Sequence, residues 1–275
     1  MATTQDVNAD SLIKNCAAAL VEAKRVVVFT GAGMSADSGV ATFRGQGKGI
    51  WNGIVGTLAL MYFGTPIGWH WTPSFAWRQY LQKFYKPIAE AEPNDGHHAL
   101  ARLETIMRGK ISNSEDSFSI VTMNVDGYHQ RAGSTTVHEV HGTVTRHRCI
   151  KNAHPMNFEV NLSDNKTVPR CQVEGCFSSA RPDCVLFTEP LPDREWRNAY
   201  GAFHQLTAGD VVIVVGTSNK VYPAAGLPEF GERMGASVYN IDIEYRNGLN
   251  NQIIGQASQV LPRIVSLVEE LSLES

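Results

Sequence analysis

Residues 26–39 read Val-Val-Val-Phe-Thr-Gly-Ala-Gly-Met-Ser-Ala-Asp-Ser-Gly, and Thr-Phe-Arg-Gly follows at 42–45. The β-branched residues and the phenylalanine predict a buried strand that ends in a tight Gly-Ala-Gly turn. Glycine lets backbone N–H groups approach a ligand closely, and a helix that begins directly after the turn would direct its positive end at a phosphate. Gly-x-Gly after a strand is weak evidence by itself, but the longer pattern is more specific.

Two other phosphate-binding motifs fit this part of the chain poorly. Residues 45–49, Gly-Gln-Gly-Lys-Gly, lack the Lys-Ser/Thr ending of a P-loop. The third glycine of the Gly-x-Gly-x-x-Gly fingerprint is displaced, which disfavours a conventional dehydrogenase.

The composition is that of a globular protein, since 43% of the 275 residues are hydrophobic and 19% are charged. A formal net charge of −3 offers no basic surface for nucleic acid. No apolar run in the sequence is long enough to span a bilayer, so no membrane partner is expected. The first residues resemble neither a signal peptide nor a transit peptide, and the five cysteines are not spaced like a disulfide framework. These features predict a cytoplasmic or nuclear protein.

Apolar patterns along the chain predict alternating strands and helices. Helices are expected at 10–24, 97–107, 193–206 and from Pro262 onward, and strands at 119–123, 184–187, 211–216 and 237–241. Short continuous apolar runs are typical of parallel strands that are covered on both faces. The order predicts an α/β protein with a Rossmann-like, doubly wound parallel sheet.

Two segments interrupt this alternation and predict a smaller lobe inserted into the sheet domain. Residues 46–94 are rich in Gly and Trp and contain an aromatic helix at 74–86, and residues 145–182 hold three of the five cysteines. We therefore expect a Rossmann-like domain built from residues 1–45, 95–144 and 183–275. The insertions would be a helical module at 46–94 and a zinc-ribbon-like module at 145–182.

Asn124 and Asp126 directly follow the strand predicted at 119–123. In open α/β sheets ligands bind beyond the carboxyl ends of the strands, so these side chains are placed to meet a ligand. An Asx-turn that merely ends the strand explains the same two residues. The segment alone does not separate the two interpretations.

The segment 137–143 reads Val-His-Glu-Val-His-Gly-Thr. His138 and His141 are three residues apart rather than four, and their β-branched neighbours oppose a helix, so a zincin site is excluded. Histidines are most often structural, and we keep that interpretation for His138. His141 has the same starting interpretation, although a neutral imidazole near pH 7 can accept a proton without a large change of pKa.

The second insertion supplies the candidate metal ligands Cys149, Cys171 and Cys176. A structural zinc ion takes four ligands, and Asn152 stands where a second cysteine near Cys149 is expected. His154 would complete the set, and His147 is also near in sequence. Buried thiols without a metal are the alternative.

Taken in order, these motifs resemble those of the sirtuin family of NAD-dependent protein deacylases over residues 20–265. The resemblance rests on the glycine-rich stretch, Thr-Met-Asn-Val-Asp at 122–126, His-Gly-Thr at 141–143, Arg-Pro-Asp-Cys-Val-Leu-Phe-Thr-Glu at 181–189, Gly-Thr-Ser at 216–218 and Asn-Ile-Asp at 240–242. It implies that NAD binds between the sheet domain and the small lobe. The cofactor-binding residues that it implies are Gly31, Ala32, Gly33, Ser35, Ala36, Thr42, Phe43, Arg44, Met123, Asn124, Val125, Asp126, Gly216, Thr217, Ser218, Asn240, Ile241, Asp242 and Ala257.

The resemblance also implies roles in the reaction. Asn124 and Asp126 would hold the nicotinamide, and His141 would take a proton from a ribose hydroxyl. Acylated lysine in a protein or peptide would bind along 181–189, where the implied substrate contacts are Val185, Phe187 and Glu189. Two positions depart from the family pattern: Met123 replaces an amide that bonds ribose or water, and Thr188 replaces a glycine at the mouth of the acyl-lysine tunnel.

Tyr80 and Lys83, on the helix predicted at 74–86, resemble the Tyr-x-x-Arg pair of the sirtuin subgroup that removes acidic acyl groups. Thr42 agrees with that subgroup. Lys83 departs from it, because an ammonium is a point charge where a guanidinium would hold a carboxylate with two hydrogen bonds. The alternative interpretation is that Tyr80 packs in the core and that Lys83 is a solvated charge on the surface.

The implied activity is transfer of an acyl group from lysine to ADP-ribose with release of nicotinamide, with preference for succinyl, glutaryl or malonyl groups. ADP-ribosyl transfer or NAD hydrolysis in the same pocket is one alternative, and a non-catalytic sensor of NAD or ADP-ribose is another. We expect a monomer that carries structural zinc.

Overall fold

The computed structural model describes residues 4–40, 62–110, 115–164 and 167–274. Its centre is a sheet of six parallel strands in the order β3-β2-β1-β7-β8-β9. The strands are β1 (Val26–Thr30), β2 (Phe118–Thr122), β3 (Val137–Glu139), β7 (Val211–Val215), β8 (Ser237–Asp242) and β9 (Gln252–Ile254). β1, β2 and β7 are buried along their whole length, as their continuous apolar sequences predict.

Helices cover both faces of this sheet. α1 (Thr4–Glu22), α5 (Asp95–Lys110) and α9 (Ala257–Glu274) lie on one face, and α7 (Asp193–His204) and α8 (Leu227–Arg233) lie on the other. Alternate residues of β1 point to opposite faces, so Val28 packs against the first helix group and Phe29 packs against the second. A single helical turn, α6 (Tyr128–Arg131), follows β2.

The strand order reverses between β1 and β7, because the chain builds β2 and β3 on one side of β1 and β8 and β9 beyond β7. This is the topology of a doubly wound Rossmann-like sheet, and the predicted fold class is confirmed. Ligands of such sheets bind at the carboxyl ends of the two strands that flank the reversal. The fold therefore places a crevice beyond Thr30 and Val215.

Several predicted boundaries are corrected by the structure. The last helix begins at Ala257, so Pro262 lies inside it rather than at its start. Proline removes one helical hydrogen bond, but Val260 and Leu261 are buried in the same core as Ile264, and this packing keeps the preceding turn helical. The helices predicted at 10–24, 97–107 and 193–206 are α1, α5 and α7 with shifted ends. Among the described residues, no helix combines the length and apolarity needed to cross a bilayer.

The small lobe contains a three-stranded antiparallel sheet in the order β5-β4-β6. Its elements are α2 (Pro66–Trp71), α3 (Pro73–Tyr80), α4 (Lys86–Glu90), β4 (Gly142–Cys149), β5 (Pro155–Met156) and β6 (Ala180–Cys184). A π-helical turn, Leu81–Tyr85, joins α3 to α4, so the helix predicted at 74–86 is not uniform. The ring centroids of Trp77 and Phe158 lie 6.0 Å apart, so the two predicted insertions pack around one core.

Residues 185–189 form a tight loop rather than the strand predicted at 184–187, since β6 ends at Cys184. The Arg181 guanidinium donates two hydrogen bonds to the Glu189 carboxylate, at 2.6 and 2.8 Å, and a third to the Cys184 carbonyl oxygen at 2.7 Å. Glu189 also accepts the backbone N–H of Leu186 at 2.9 Å. Burial alone would raise the pKa of Glu189, but the hydrogen bonds from Arg181 and Leu186 outweigh it and hold that pKa below its usual range. The ionised carboxylate therefore fixes this loop against β6.

Thr188, at the tip of this loop, adopts a left-handed backbone conformation with φ of +76°. A non-glycine residue held in this region costs on the order of 1 kcal/mol or more. Because its side chain is exposed, replacing it removes little packing. We expect Thr188→Gly to raise the free energy of unfolding by about 1 kcal/mol, measured by urea denaturation.

Thr188→Ser is the matched control, because it keeps a Cβ in the same conformation and should give a clearly smaller gain. A Thr188→Gly protein that is less stable than the parent would contradict the assignment of strain to this residue.

Candidate functional site

A network of buried polar side chains lies at the carboxyl ends of β1 and β2. Thr30 Oγ1 donates to Thr122 Oγ1 at 2.8 Å, and Thr122 Oγ1 accepts the backbone N–H of Asn124 at 3.0 Å. Ser35 Oγ donates to Asp126 Oδ2 at 2.7 Å and accepts Asn124 Nδ2 at 3.1 Å. The structure thus brings Ser35, Asn124 and Asp126 together from two separate segments.

Asp126 also ends β2 in the way that an Asx-turn would, since its Oδ1 accepts the backbone N–H of Tyr128 at 3.0 Å. Burial raises the pKa of Asp126, and the hydrogen bonds from Tyr128 and Ser35 offset only part of this effect. The turn and the ligand-facing interpretation are therefore compatible, because one carboxylate oxygen shapes the backbone and the other joins the polar network.

His141 lies between β3 and β4, and its ring is oriented by a backbone group. The Nδ1 atom is 3.1 Å from the Met123 carbonyl oxygen. A carbonyl oxygen only accepts hydrogen bonds, so Nδ1 carries the proton of the neutral ring. Nε2 is then left with a lone pair that can accept a proton. The side chain of Met123 has no part in this contact, so the departure from the family pattern at this position leaves the orientation of His141 intact.

Burial lowers the pKa of His141, and the hydrogen bond to Met123 only partly opposes that shift. The imidazole is therefore neutral at neutral pH. A neutral ring with a free Nε2 is the form that a general base requires.

The turn that presents His141 depends on Gly142. Its φ is +68°, and a Cβ added there would collide with the Asp183 carbonyl oxygen on β6. The carbonyl oxygen of His141 in turn accepts the backbone N–H of Val185 at 2.8 Å. The predicted base and the start of the predicted substrate-binding loop are thus joined by a backbone hydrogen bond.

The glycines after β1 contact the turn after β7. Gly33 N–H donates to the Gly216 carbonyl oxygen at 2.8 Å, and Gly31 N–H donates to the Val215 carbonyl oxygen at 3.0 Å. A Cβ added to Gly33 would lie 2.6 Å from the Gly216 Cα. These two N–H groups therefore bond the turn after β7, and the small residues let the two turns pack together at the sheet reversal.

The other residues that were predicted to bind the cofactor lie in several parts of the fold. Ala32 and Ala36 are exposed on the 3₁₀-helix that follows β1, Ala32–Ser38, while Ile241 lies in the core and Ala257 packs against Gly96. Val125 contributes its carbonyl oxygen, which accepts the Val144 N–H at 2.8 Å. Three predicted residues lie outside the described part of the chain: Thr42, Phe43 and Arg44.

A cleft at the carboxyl ends of β7 and β8 forms the other end of the site. It is lined in part by Thr217, Asn240, Asp242 and Arg246. Ser218 is exposed beside it, next to Gly216. Arg246 was not among the predicted residues: its guanidinium donates to the Thr217 carbonyl oxygen and pairs with Asp242 Oδ2 at 2.7 Å. No motif marks this arginine, because its position depends on how the loop after β8 folds back.

The predicted substrate contacts lie on the loop after β6. Phe187 is 48% exposed, and Val185 is half-buried. The Phe187 N–H donates to the Gly64 carbonyl oxygen at 2.6 Å, so the loop also contacts the helical segment of the small lobe. Glu189 is engaged by Arg181 and acts within the loop as a structural anchor.

Tyr80 and Lys83 differ in their surroundings. Tyr80 is buried, and its hydroxyl donates to the Val144 carbonyl oxygen at 2.7 Å. The same hydroxyl lies 2.8 Å from His147 Nε2, from which it accepts a hydrogen bond. Lys83 is on the surface. The single hydroxyl proton of Tyr80 is therefore already used inside the small lobe.

Cys149, His154, Cys171 and Cys176 converge, with their ligand atoms all within 4.8 Å of one another. Cys149 Sγ and Cys176 Sγ are 3.8 Å apart, and His154 Nδ1 and Cys171 Sγ are 3.4 Å apart. Tetrahedral zinc with Zn–S bonds of about 2.3 Å and Zn–N bonds of about 2.0 Å gives separations close to these values. The set fits structural zinc, and His147 does not belong to this group of converging ligand atoms.

We expect the purified protein to contain one zinc ion per chain. His154→Ala should lower the zinc content and the melting temperature together, because three thiolates alone leave the tetrahedral site open. Metal content by mass spectrometry and thermal unfolding with and without chelator measure both. Cys16→Ala, which removes a buried thiol outside the cluster, should keep full zinc content. Full zinc content in the His154→Ala protein would show that the fourth ligand lies elsewhere.

Comparisons with known proteins agree with this geometry. Residues 31–223 match the model of the Sir2 family. NAD-dependent protein deacylase 2 of Pyrobaculum aerophilum is 38% identical over 260 residues, which span 93% of this chain and 95% of that protein. The solved structure of a Sir2 homologue–NAD complex has a TM-score of 0.77 and 28% identity, covering 96% of this chain and 94% of that one.

A second structure, Sir2Af2 bound to a myristoylated histone peptide, has a TM-score of 0.68 and 30% identity, covering 97% of this chain and all of that one, 100%. The family match spans most of the chain, and the sequence and structural relatives extend over nearly all of it. The predicted resemblance is thereby confirmed at the level of the family. This chain belongs to the Sir2 family, the sirtuins.

Proposed function

We propose that this chain is an NAD-dependent protein-lysine deacylase, which moves an acyl group from lysine to ADP-ribose and releases nicotinamide. The observation that carries the proposal is the orientation of His141, whose Nδ1 is bound by the Met123 carbonyl oxygen. That contact leaves Nε2 as a proton acceptor beside the strand end that bears Asn124 and Asp126. The deacylase activity named for the Pyrobaculum aerophilum relative supports the same reaction.

The crevice has the features that a dinucleotide needs. It crosses the sheet reversal, where the turns after β1 and β7 pack closely through Gly33 and Gly216. Amide and carboxylate groups of Asn124 and Asp126 stand at one end, and Asp242 stands at the other. The chemistry of these donors and acceptors fits a nicotinamide carboxamide at the first end and ribose hydroxyls at the second.

Bound NAD supplies the ribose carbon that loses nicotinamide and the hydroxyl that receives the acyl group. The chain would then perform three tasks. Ser35 holds Asn124 and Asp126 in fixed orientations, so that they can position the carboxamide. His141 Nε2 accepts the proton of a ribose hydroxyl. The loop fixed by Arg181 and Glu189 positions the acyl-lysine backbone near that imidazole.

A sensor that only binds NAD or ADP-ribose is a weaker proposal, because binding does not require a neutral imidazole with a free Nε2. Hydrolysis of NAD or ADP-ribosyl transfer would use the same residues, so product identity separates these reactions from deacylation. We also propose that the protein acts as a monomer, which gel filtration tests.

His141→Ala should reduce kcat for deacylation by at least about a hundredfold, the usual size of a general-base contribution, while the Kd for NAD stays nearly unchanged. Mass spectrometry with an acyl-lysine peptide should identify O-acyl-ADP-ribose as the product of the parent protein. His138→Ala is the matched control and should retain most of the activity.

The pH profile gives a second test of the same residue. Because burial lowers the pKa of His141, the deprotonated form persists to lower pH, and the acid limb of kcat should lie below the usual histidine value of about 6.5. Free ADP-ribose or ADP-ribosylated protein as the main product would contradict deacylation, and an active His141→Ala protein would contradict its role as the base.

The acidic-acyl preference implied by Tyr80 and Lys83 meets an obstacle in this structure. A carboxylate bound to the Tyr80 hydroxyl would have to displace its hydrogen bond to Val144 and leave a buried carbonyl oxygen unpaired, which costs about 1–3 kcal/mol. We therefore propose that Tyr80 stabilises the small lobe and does not select the acyl group.

Tyr80→Phe should leave the ratio of kcat/KM for succinyl-lysine and acetyl-lysine peptides unchanged, while it lowers the free energy of unfolding by about 1–3 kcal/mol. Lys83→Met, which removes the charge but keeps the length, should also leave that ratio unchanged. A fall in the succinyl-to-acetyl ratio in both variants, without a loss of stability in Tyr80→Phe, would restore the original carboxylate-binding hypothesis.

A further inference from the structure

The start of α5 lies against the 3₁₀-helix that carries Ser35. Residues 93–97, which read Pro-Asn-Asp-Gly-His, belong to none of the motifs on which the resemblance rests. Asn94 Nδ2 donates to the Met34 carbonyl oxygen at 2.9 Å. Asn94 Oδ1 accepts the backbone N–H of Gly96 at 3.0 Å, so the same side chain also caps the first turn of α5. One amide group therefore joins the two helices through its two ends.

His97, in the first turn of α5, faces the side chain of Ser35. The backbone N–H of Asn94 donates to His97 Nδ1 at 3.2 Å. Because a backbone N–H only donates, Nδ1 bears the lone pair and Nε2 carries the proton of the neutral ring. Nε2 lies 3.5 Å from Ser35 Oγ, so its N–H donates a long hydrogen bond to the hydroxyl oxygen. Burial, with smaller contributions from two neighbouring histidines, lowers the pKa of His97 to about 2, and the ring is neutral at pH 7.

Ser35 has one hydroxyl proton, and its neighbours determine the direction in which that proton points. His97 Nε2 and Asn124 Nδ2 both donate toward Ser35 Oγ, at 3.5 and 3.1 Å. The hydroxyl proton is therefore directed to Asp126 Oδ2, at 2.7 Å. Each of these four residues is at most 9% exposed, so water is poorly placed to replace a lost partner. Without the N–H of His97, the Ser35 hydroxyl is free to turn away from the Asp126 carboxylate.

We propose that Asn94 and His97 are positioning residues for the nicotinamide end of the site. Asn94 fixes the backbone of the turn that bears Ser35, and His97 fixes the direction of the Ser35 hydroxyl. Both act through Ser35, which orients Asn124 and Asp126. The inference rests on the proposed function, in which Asn124 and Asp126 hold the nicotinamide carboxamide. Loss of either contact should therefore weaken the grip on nicotinamide and spare the rest of the dinucleotide.

Isothermal titration calorimetry of the intact protein with NAD and with ADP-ribose tests this, because ADP-ribose lacks the nicotinamide. His97→Met removes the ring N–H but keeps an apolar side chain that fills space. It should raise the Kd for NAD about fivefold or more, as expected for one lost buried hydrogen bond, and leave the Kd for ADP-ribose within about twofold. kcat for deacylation should fall in the same variant. His97→Gln, whose amide can donate to Ser35 Oγ, should recover most of the NAD affinity and of kcat.

Asn94→Asp separates capping of α5 from the contact with the Ser35 turn. The aspartate keeps an oxygen that caps the helix, but it has no N–H for the Met34 carbonyl oxygen. The melting temperature should therefore stay near that of the parent, while the Kd for NAD rises and the Kd for ADP-ribose does not.

His98→Met is the matched control, because His98 is the exposed neighbour of His97 on the same helix. It should leave both affinities and kcat unchanged. Circular dichroism confirms that each variant is folded, and Asn94→Asp decides the question if His97→Met does not fold. Equal losses of NAD and ADP-ribose affinity, or an unchanged Kd for NAD in the folded variants, overturn the positioning role while NAD binding and deacylation by the parent stand. A parent protein that binds no NAD overturns the proposed function itself.

Discussion

The site depends on one hydrogen bond between a side chain and the backbone, from His141 Nδ1 to the Met123 carbonyl oxygen. This bond selects the tautomer of the ring, so that Nδ1 carries the proton and Nε2 keeps its lone pair. The Met123 carbonyl is fixed in turn by the end of β2, where the Met123 N–H donates to the Thr30 carbonyl oxygen at 3.0 Å. The parallel pairing of β1 and β2 therefore helps to position His141, the proposed base, through backbone groups.

The same region couples the two lobes. After His141 the chain enters β4, whose Val144 N–H donates to the Val125 carbonyl oxygen of the sheet domain. Arg146 on β4 pairs with the buried Glu139 at the end of β3, at 2.7 Å. The proposed catalytic crevice thus lies where the first strand of the small lobe begins, and the His141–Val185 backbone contact extends this order to the loop proposed to bind substrate. The proposed base, cofactor crevice and substrate loop lie on a few adjacent backbone segments.

Much of this could be predicted from the sequence because it depends on local patterns. The valine-rich strands, the polar residues at their ends and the cysteines of the small lobe are visible as short motifs, and the parallel sheet follows from the alternation of strands with helices. The sequence pattern marks only the side chain of Met123, whereas it is the carbonyl group of this residue that holds His141. The glycines after β1 were expected to face a phosphate, but their N–H groups bond the turn after β7, a partner remote in sequence. Pairings between distant segments decide such details, and single-sequence patterns do not contain them.

Tyr80 and Arg246 are two further cases in which sequence patterns do not predict the surroundings of a side chain. Tyr80 belongs to a recognisable pattern, whereas Arg246 does not. The spacing of Tyr80 and Lys83 suggested a shared ligand, but packing in the small lobe buries the tyrosine and uses its hydroxyl. Arg246 belongs to no motif, yet the folding of its loop places it in the cleft. In both cases tertiary packing determines the chemistry that a side chain can perform.

Nitrogen-15 NMR of the imidazole of His141 tests the central claim most directly, because the chemical shifts of the two ring nitrogens report which of them carries the proton. At pH 7 the account predicts a neutral ring with protonated Nδ1 and unprotonated Nε2, and a pKa below the usual histidine value. A ring protonated on Nε2, or a charged imidazolium at pH 7, would contradict it.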